Sequence, residues 1–133
     1  MPITDGYTDF SGVRAPIIGD VVGNIQGGLK GVAQIASGDG AITVQPGVAV
    51  ITKATAAVLT LAAPTAGTHD GVVLIIISST AAAHTVTQTT PGFNGGGAAT
   101  DVATAAVAIG SSLILVAYNG VWLIANNTGF TLA

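Results

Sequence analysis

From Gly40 to the C-terminus, apolar residues either alternate with polar ones or run in short blocks, and a turn signal closes each block. Ile42-Thr-Val44-Gln alternates and meets Pro46-Gly47. Val48 to Ile51 and Ala57 to Leu61 follow, and the second ends at Ala63-Pro64-Thr-Ala-Gly67. Asp70-Gly71 opens the aliphatic run Val72 to Ile77, His84-Thr-Val86-Thr-Gln88 alternates again, and Pro91 to Gly97 is a glycine-rich loop. Period two puts successive side chains on opposite faces of a strand. The clearest element is the last hairpin. Ser112 to Tyr118 and Val121 to Ala125 flank Asn119-Gly120, the favoured centre of a type I′ turn. Gly129 to Leu132 adds a further edge strand.

Short strands with turns every 8–12 residues predict an all-β chain. The expected fold is a small antiparallel β-sandwich or barrel, jelly-roll-like, over residues 40–133, behind an extended N-terminal arm over residues 1–39. The strand intervals vary, so no fixed period announces a β-helix. The Val72–Ile77 run reads as a strand buried on both faces. Val102 to Ala125 is uncharged and largely apolar, but Gly110-Ser-Ser112 and Tyr118-Asn-Gly120 interrupt it with turns. It therefore reads as strands, and no membrane partner is expected.

The arm has another character. It holds all but three of the charged residues, and Ile18, Val21, Val22, Ile25, Leu29 and Val32 repeat at helical spacing. Glycines at 19, 23, 27, 28 and 31 weaken that helix, each costing up to about 1 kcal/mol. The reading is an arm, extended or partly helical, that orders against a partner. The opening Met1-Pro-Ile-Thr-Asp-Gly has neither a basic region nor an apolar block, so no secretion signal is expected.

Only 7% of the residues are charged, against about 25% in an ordinary domain. Past Gly71 the sole charged side chain is Asp101. So bare a surface points to burial against copies of the chain or a larger assembly. With three cations and a net charge of −3 there is little to grip phosphates, and nucleic acid is not expected as a partner. Cysteine is absent, so packing and oligomerisation must stabilise the fold.

The search for chemistry returns little. His69-Asp70 lies in a turn, and Ser78, Ser79, Ser111 and Ser112 lack nucleophile-elbow spacing. His84 reads as a hydrogen-bonded strand-end histidine. The six acids, all aspartate, are dispersed and form no calcium loop. Gly92 to Gly97 lacks the Lys-Ser/Thr of a phosphate loop. Thr85-Val-Thr87 and Thr87-Gln-Thr89 resemble the threonine ladders of flat ice-binding faces, but a ladder needs several stacked copies. No enzyme activity, cofactor or metal site is expected.

The segment from Gly40 to Ala133 resembles the capsid decoration (cement) and head-fibre type proteins of bacteriophage particles. The resemblance is carried by Leu59-Thr-Leu61-Ala-Ala-Pro64-Thr-Ala-Gly67, Asp70-Gly71 with the strand to Ile77, and His84-Thr-Val86-Thr. The Gly92–Gly97 loop, Ser112-Leu-Ile-Leu115 and Asn119-Gly-Val-Trp122 complete it. It implies a structural virion protein on the capsid exterior, assembled in the host cytoplasm, homotrimeric and without catalysis. The major capsid protein is then the partner. Tyr7, Phe10, Arg14 and Pro16 are the candidate capsid contacts, and Val72, Leu74, Ile76 and Trp122 the candidate subunit interface. The competing reading is a tail-fibre or receptor-binding tip module. Such recognition faces favour Tyr, Trp and Arg, in which this chain is poor. A glycan depolymerase would need paired carboxylates.

Overall fold

The alternating blocks become strands, and the strands form two layers. A computed structural model describes residues 33–133. The strands are β1 (Gln34–Ala36), β2 (Gly40–Ile42), β3 (Gly47–Ile51), β4 (Val58–Leu61), β5 (Val73–Ser78), β6 (Thr85–Thr87), β7 (Val102–Ala105), β8 (Ser112–Tyr118), β9 (Val121–Thr128) and β10 (Phe130–Leu132). Two single-turn 3-10 segments, Phe93–Gly95 and Gly97–Ala99, shape the loop before β7. Sheet A has the order β1-β3-β5-β8-β9, and sheet B the order β10-β7-β6-β4-β2. The two sheets share one hydrophobic core, so the all-β sandwich is as expected and neither sheet closes into a barrel.

The pairing is mixed, which corrects the antiparallel, jelly-roll-like expectation. In sheet A, β1, β3 and β5 run parallel, and in sheet B so do β2, β4 and β6. The chain visits sheet A and then sheet B three times, stacking three rungs as a β-helix does. Ala49 lies beside Ile76 and Leu59 beside Val86, the same 27-residue step in both sheets. The previous step is 15 residues in sheet A (Gln34 to Ala49) and 19 in sheet B (Gly40 to Leu59). Loops of unequal length thus hide the repeat. Antiparallel β7, β8, β9 and β10 then finish the two sheets.

Sheet A begins within the segment read as the arm. β1 pairs with β3, and Gln34 reinforces it by clasping Thr43 (its Nε2 donates to Thr43 O at 3.0 Å and its Oε1 accepts Thr43 N–H at 2.7 Å). At the other side of the sheet, Asn119 and Gly120 have φ of 48° and 78°. That is the type I′ turn expected between β8 and β9.

Alternation fills the core from both layers. Ala49, Ile51, Leu74, Ile76, Leu113, Leu115 and Trp122 point inward from sheet A, and Ile42, Leu59, Leu61, Val86 and Phe130 from sheet B. Trp122 is fully buried, and its Nε1–H donates to Ala62 O at 2.9 Å, tying β9 to the chain that leaves β4. A buried indole requires such a partner for its one donor.

Candidate assembly interface

The strand parity that fills the core also decides what faces outward. On β5, Leu74 and Ile76 have 0% exposure, whereas Val73 has 43% and Ile75 and Ile77 are half-buried. The expectation that this strand is buried on both faces is therefore corrected: within one chain, only its inner face is covered. The same parity corrects the candidate interface. Leu74, Ile76 and Trp122 lie in the protein's own core, and Val72 is partly buried against it. Leu74, Ile76 and Trp122 present no side chain that a second subunit can cover, and Val72 only part of one. The candidate capsid contacts Tyr7, Phe10, Arg14 and Pro16 lie outside the described residues.

The outward residues of sheet A form a grid set by strand register. One row runs Ile35, Val50, Ile77, Ser112, Thr128; the next Val48, Ile75, Ile114, Asn126; the third Val73, Val116, Leu123. Nine of these side chains are aliphatic; polar ones enter at the β8–β9 corner, and Tyr118, paired with Val121, adds a phenolic hydroxyl beyond the third row. Strands about 4.8 Å apart and same-face residues about 6.7 Å apart give the aliphatic part about 300 Å² of flat sheet. The largest apolar patch on a typical monomer is of this order and is often functional. Among the described residues the charged side chains are Asp39, Lys53, Asp70 and Asp101, and none belongs to this grid.

Sheet B faces outward with different chemistry. Its rows are Val58, Thr85, Thr104, Thr131 and Ala41, Thr60, Thr87, Val102. Threonine is β-branched, which suits a strand, and its hydroxyl remains compatible with water. Of the two threonine pairs visible in the sequence, Thr85/Thr87 is thus part of a five-threonine face, while Thr89 lies beyond the end of β6. The sandwich has one aliphatic outer face and one hydroxyl-rich outer face.

The polar groups considered for chemistry hold the fold together. His84 is fully buried; its Nδ1 accepts the Ala57 N–H at 3.1 Å, and Nε2 lies 2.9 Å from Thr80 Oγ1, which donates to Lys53 O at 2.6 Å. This network assigns a neutral ring protonated at Nε2. Burial pushes the His84 pKa below its ordinary 6.5; the Thr80 hydrogen bond opposes that shift and the Lys53 charge adds to it. His69 Nδ1 accepts the Thr65 N–H at 2.7 Å, and Asp70 Oδ1 accepts the Asn119 N–H at 2.8 Å. Ser78, Ser79 and Ser111 donate their hydroxyls to backbone carbonyls. Asp39 pairs with Lys53 at 2.8 Å and also accepts the Val58 N–H; these contacts hold its carboxyl below the usual range. Among the described residues, no three His, Asp or Glu side chains converge on a point. No helix among them is long and apolar enough to cross a membrane.

Comparison with family models, with curated proteins and with solved structures finds no match to this chain.

Proposed function

We propose that this chain is a structural, non-enzymatic protein of a bacteriophage particle: a decoration protein that binds the outside of the head and stabilises the shell. The observation that carries this reading is the uncharged aliphatic outer face of sheet A. A protein carrying such a face functions as a component of an assembly, because exposing it alone promotes association. The resemblance of residues 40–133 to capsid decoration and head-fibre proteins supplies the particular assembly. Binding to the completed shell and not to its separate subunits stabilises the shell by mass action. A major capsid protein is the proposed partner, reached through the N-terminal arm.

A tail-fibre or receptor-binding tip is the second reading, and one feature favours it. Parallel rungs stack along an axis, and antiparallel strands follow them at the C-terminal end, an elongated body closed at one end as a solenoid is by its cap. Gold-labelled antibody against the chain, applied to intact particles, separates the readings. Label spread over the head supports decoration, and label confined to the tail supports the tip. Particles that carry no label refute both.

A further inference from the structure

We infer that the outer face of sheet A is the contact between copies of this chain, with β5 at its centre. This rests on the proposed structural role and deepens it by naming the partner at that face as a second copy rather than the shell. The face offers no charge, and its side-chain hydrogen-bonding groups stand on β8 and β9 alone: Ser112, Asn126 and Thr128 at one end and Tyr118 at the other. Only an equally apolar surface matches it without stranding polar groups away from water. Among the described residues, sheet A itself supplies such a surface, whereas the outer face of sheet B is threonine-rich. A closed assembly of copies, whether a face-to-face pair or a ring, covers every aliphatic face and leaves every threonine face in water. Open association does not achieve this. Ile75, flanked by Val48 and Ile114 in its row, marks the middle of the grid. Its sequence neighbours Leu74 and Ile76 serve the core. The long aliphatic run therefore has two separate tasks, one for each face.

The full 133-residue chain and two variants test this by light scattering. The wild type is expected at twice its 12.9 kDa mass or a higher whole multiple. Ile75→Asp places a charge on the face without touching the core and is expected to return the mass to that of one chain, with unchanged far-UV circular dichroism. Thr87→Asp, on the opposite sheet, keeps the wild-type mass. If Ile75→Asp fails to fold, cysteine scanning takes its place, because the chain has no cysteine of its own. Ile75→Cys is expected to form an interchain disulfide on mild oxidation, and Thr87→Cys to remain uncrosslinked. A monomeric wild type, or crosslinking at position 87 and not at 75, overturns the inference. Failure here is distinguishable from failure of the virion role. A monomer found on particles removes the interface alone, and an oligomer absent from particles removes the role alone.

Discussion

The Nε2–H of His84 donates to Thr80 Oγ1 at 2.9 Å while the ring's other nitrogen accepts the Ala57 N–H, so the buried imidazole has no place for a second proton. In the unfolded chain the same ring titrates at about 6.5, and burial holds the folded value lower. As pH falls below about 6.5, the unfolded state takes up a proton that the folded state refuses. Stability is therefore full above that value and declines as acid is added. The urea midpoint is expected to be lower at about pH 5 than at about pH 8, and His84→Gln is expected to remove that difference. Asp39 acts in a separate window. Its folded pKa lies below 3.8, so its contribution is present above that value and disappears only in stronger acid.

Neighbouring positions on β5 should respond in opposite ways. Ile76 is fully buried in the core, and Ile76→Ala is expected to cost about 2–5 kcal/mol of unfolding free energy. Ile75→Ala removes a half-buried outward side chain and is expected to cost the isolated fold less than about 1.5 kcal/mol while weakening assembly. Denaturant unfolding of dilute protein gives the first pair of numbers, and the concentration dependence of the mass gives the second effect.

The glycine-rich loop is held closed by its backbone. Gly92 has φ 77° and ψ 163°, and a Cβ there would collide with the Gly97 carbonyl. The same loop buries Phe93 and sends the Asn94 side chain to accept the Ile124 N–H at 2.8 Å. Gly92→Ala is expected to destabilise by at least about 1–3 kcal/mol. Gly97→Ala meets no steric obstacle but shares the positive φ, at 63°, and is expected to cost less. Thermal melts of the two variants measure the contrast.

Among the described residues, hydrogen bonding in sheet A begins at Gln34. Deleting residues 1–16, which include Tyr7, Phe10, Arg14 and Pro16, is expected to leave the β-sandwich intact by circular dichroism. The same deletion is expected to abolish attachment to particles. Unchanged occupancy on particles would transfer the capsid contact to the β-domain.

Elements were legible in the sequence where local chemistry decides them. Asn119-Gly120 specifies its own turn, and β8 spans the same Ser112–Tyr118 that the alternation predicts. Pairing was not legible, because alternation says which side chains share a face and not which strand lies alongside. The 27-residue step occurs once in each sheet, after steps of 15 and 19, so no period emerges from the sequence. Parity within Val72–Ile77 was hidden for a related reason. In an unbroken aliphatic run both faces look alike, and only the register with β3 and β8 separates Ile75 from Ile76. The threonine face needed four strands in register before Thr60, Thr85, Thr87, Thr104 and Thr131 came together. A three-residue β1 carries too little alternation to stand out beside the glycine run that precedes it.

The most direct test of the structural role is the copy number of this chain in purified virions, measured by quantitative mass spectrometry against the major capsid protein. Decoration of the head predicts a near-stoichiometric ratio, with copies in multiples of three if closed trimers occupy equivalent sites. A handful of copies per particle would place the chain in the tail or a fibre, and its absence from virions would contradict the role outright.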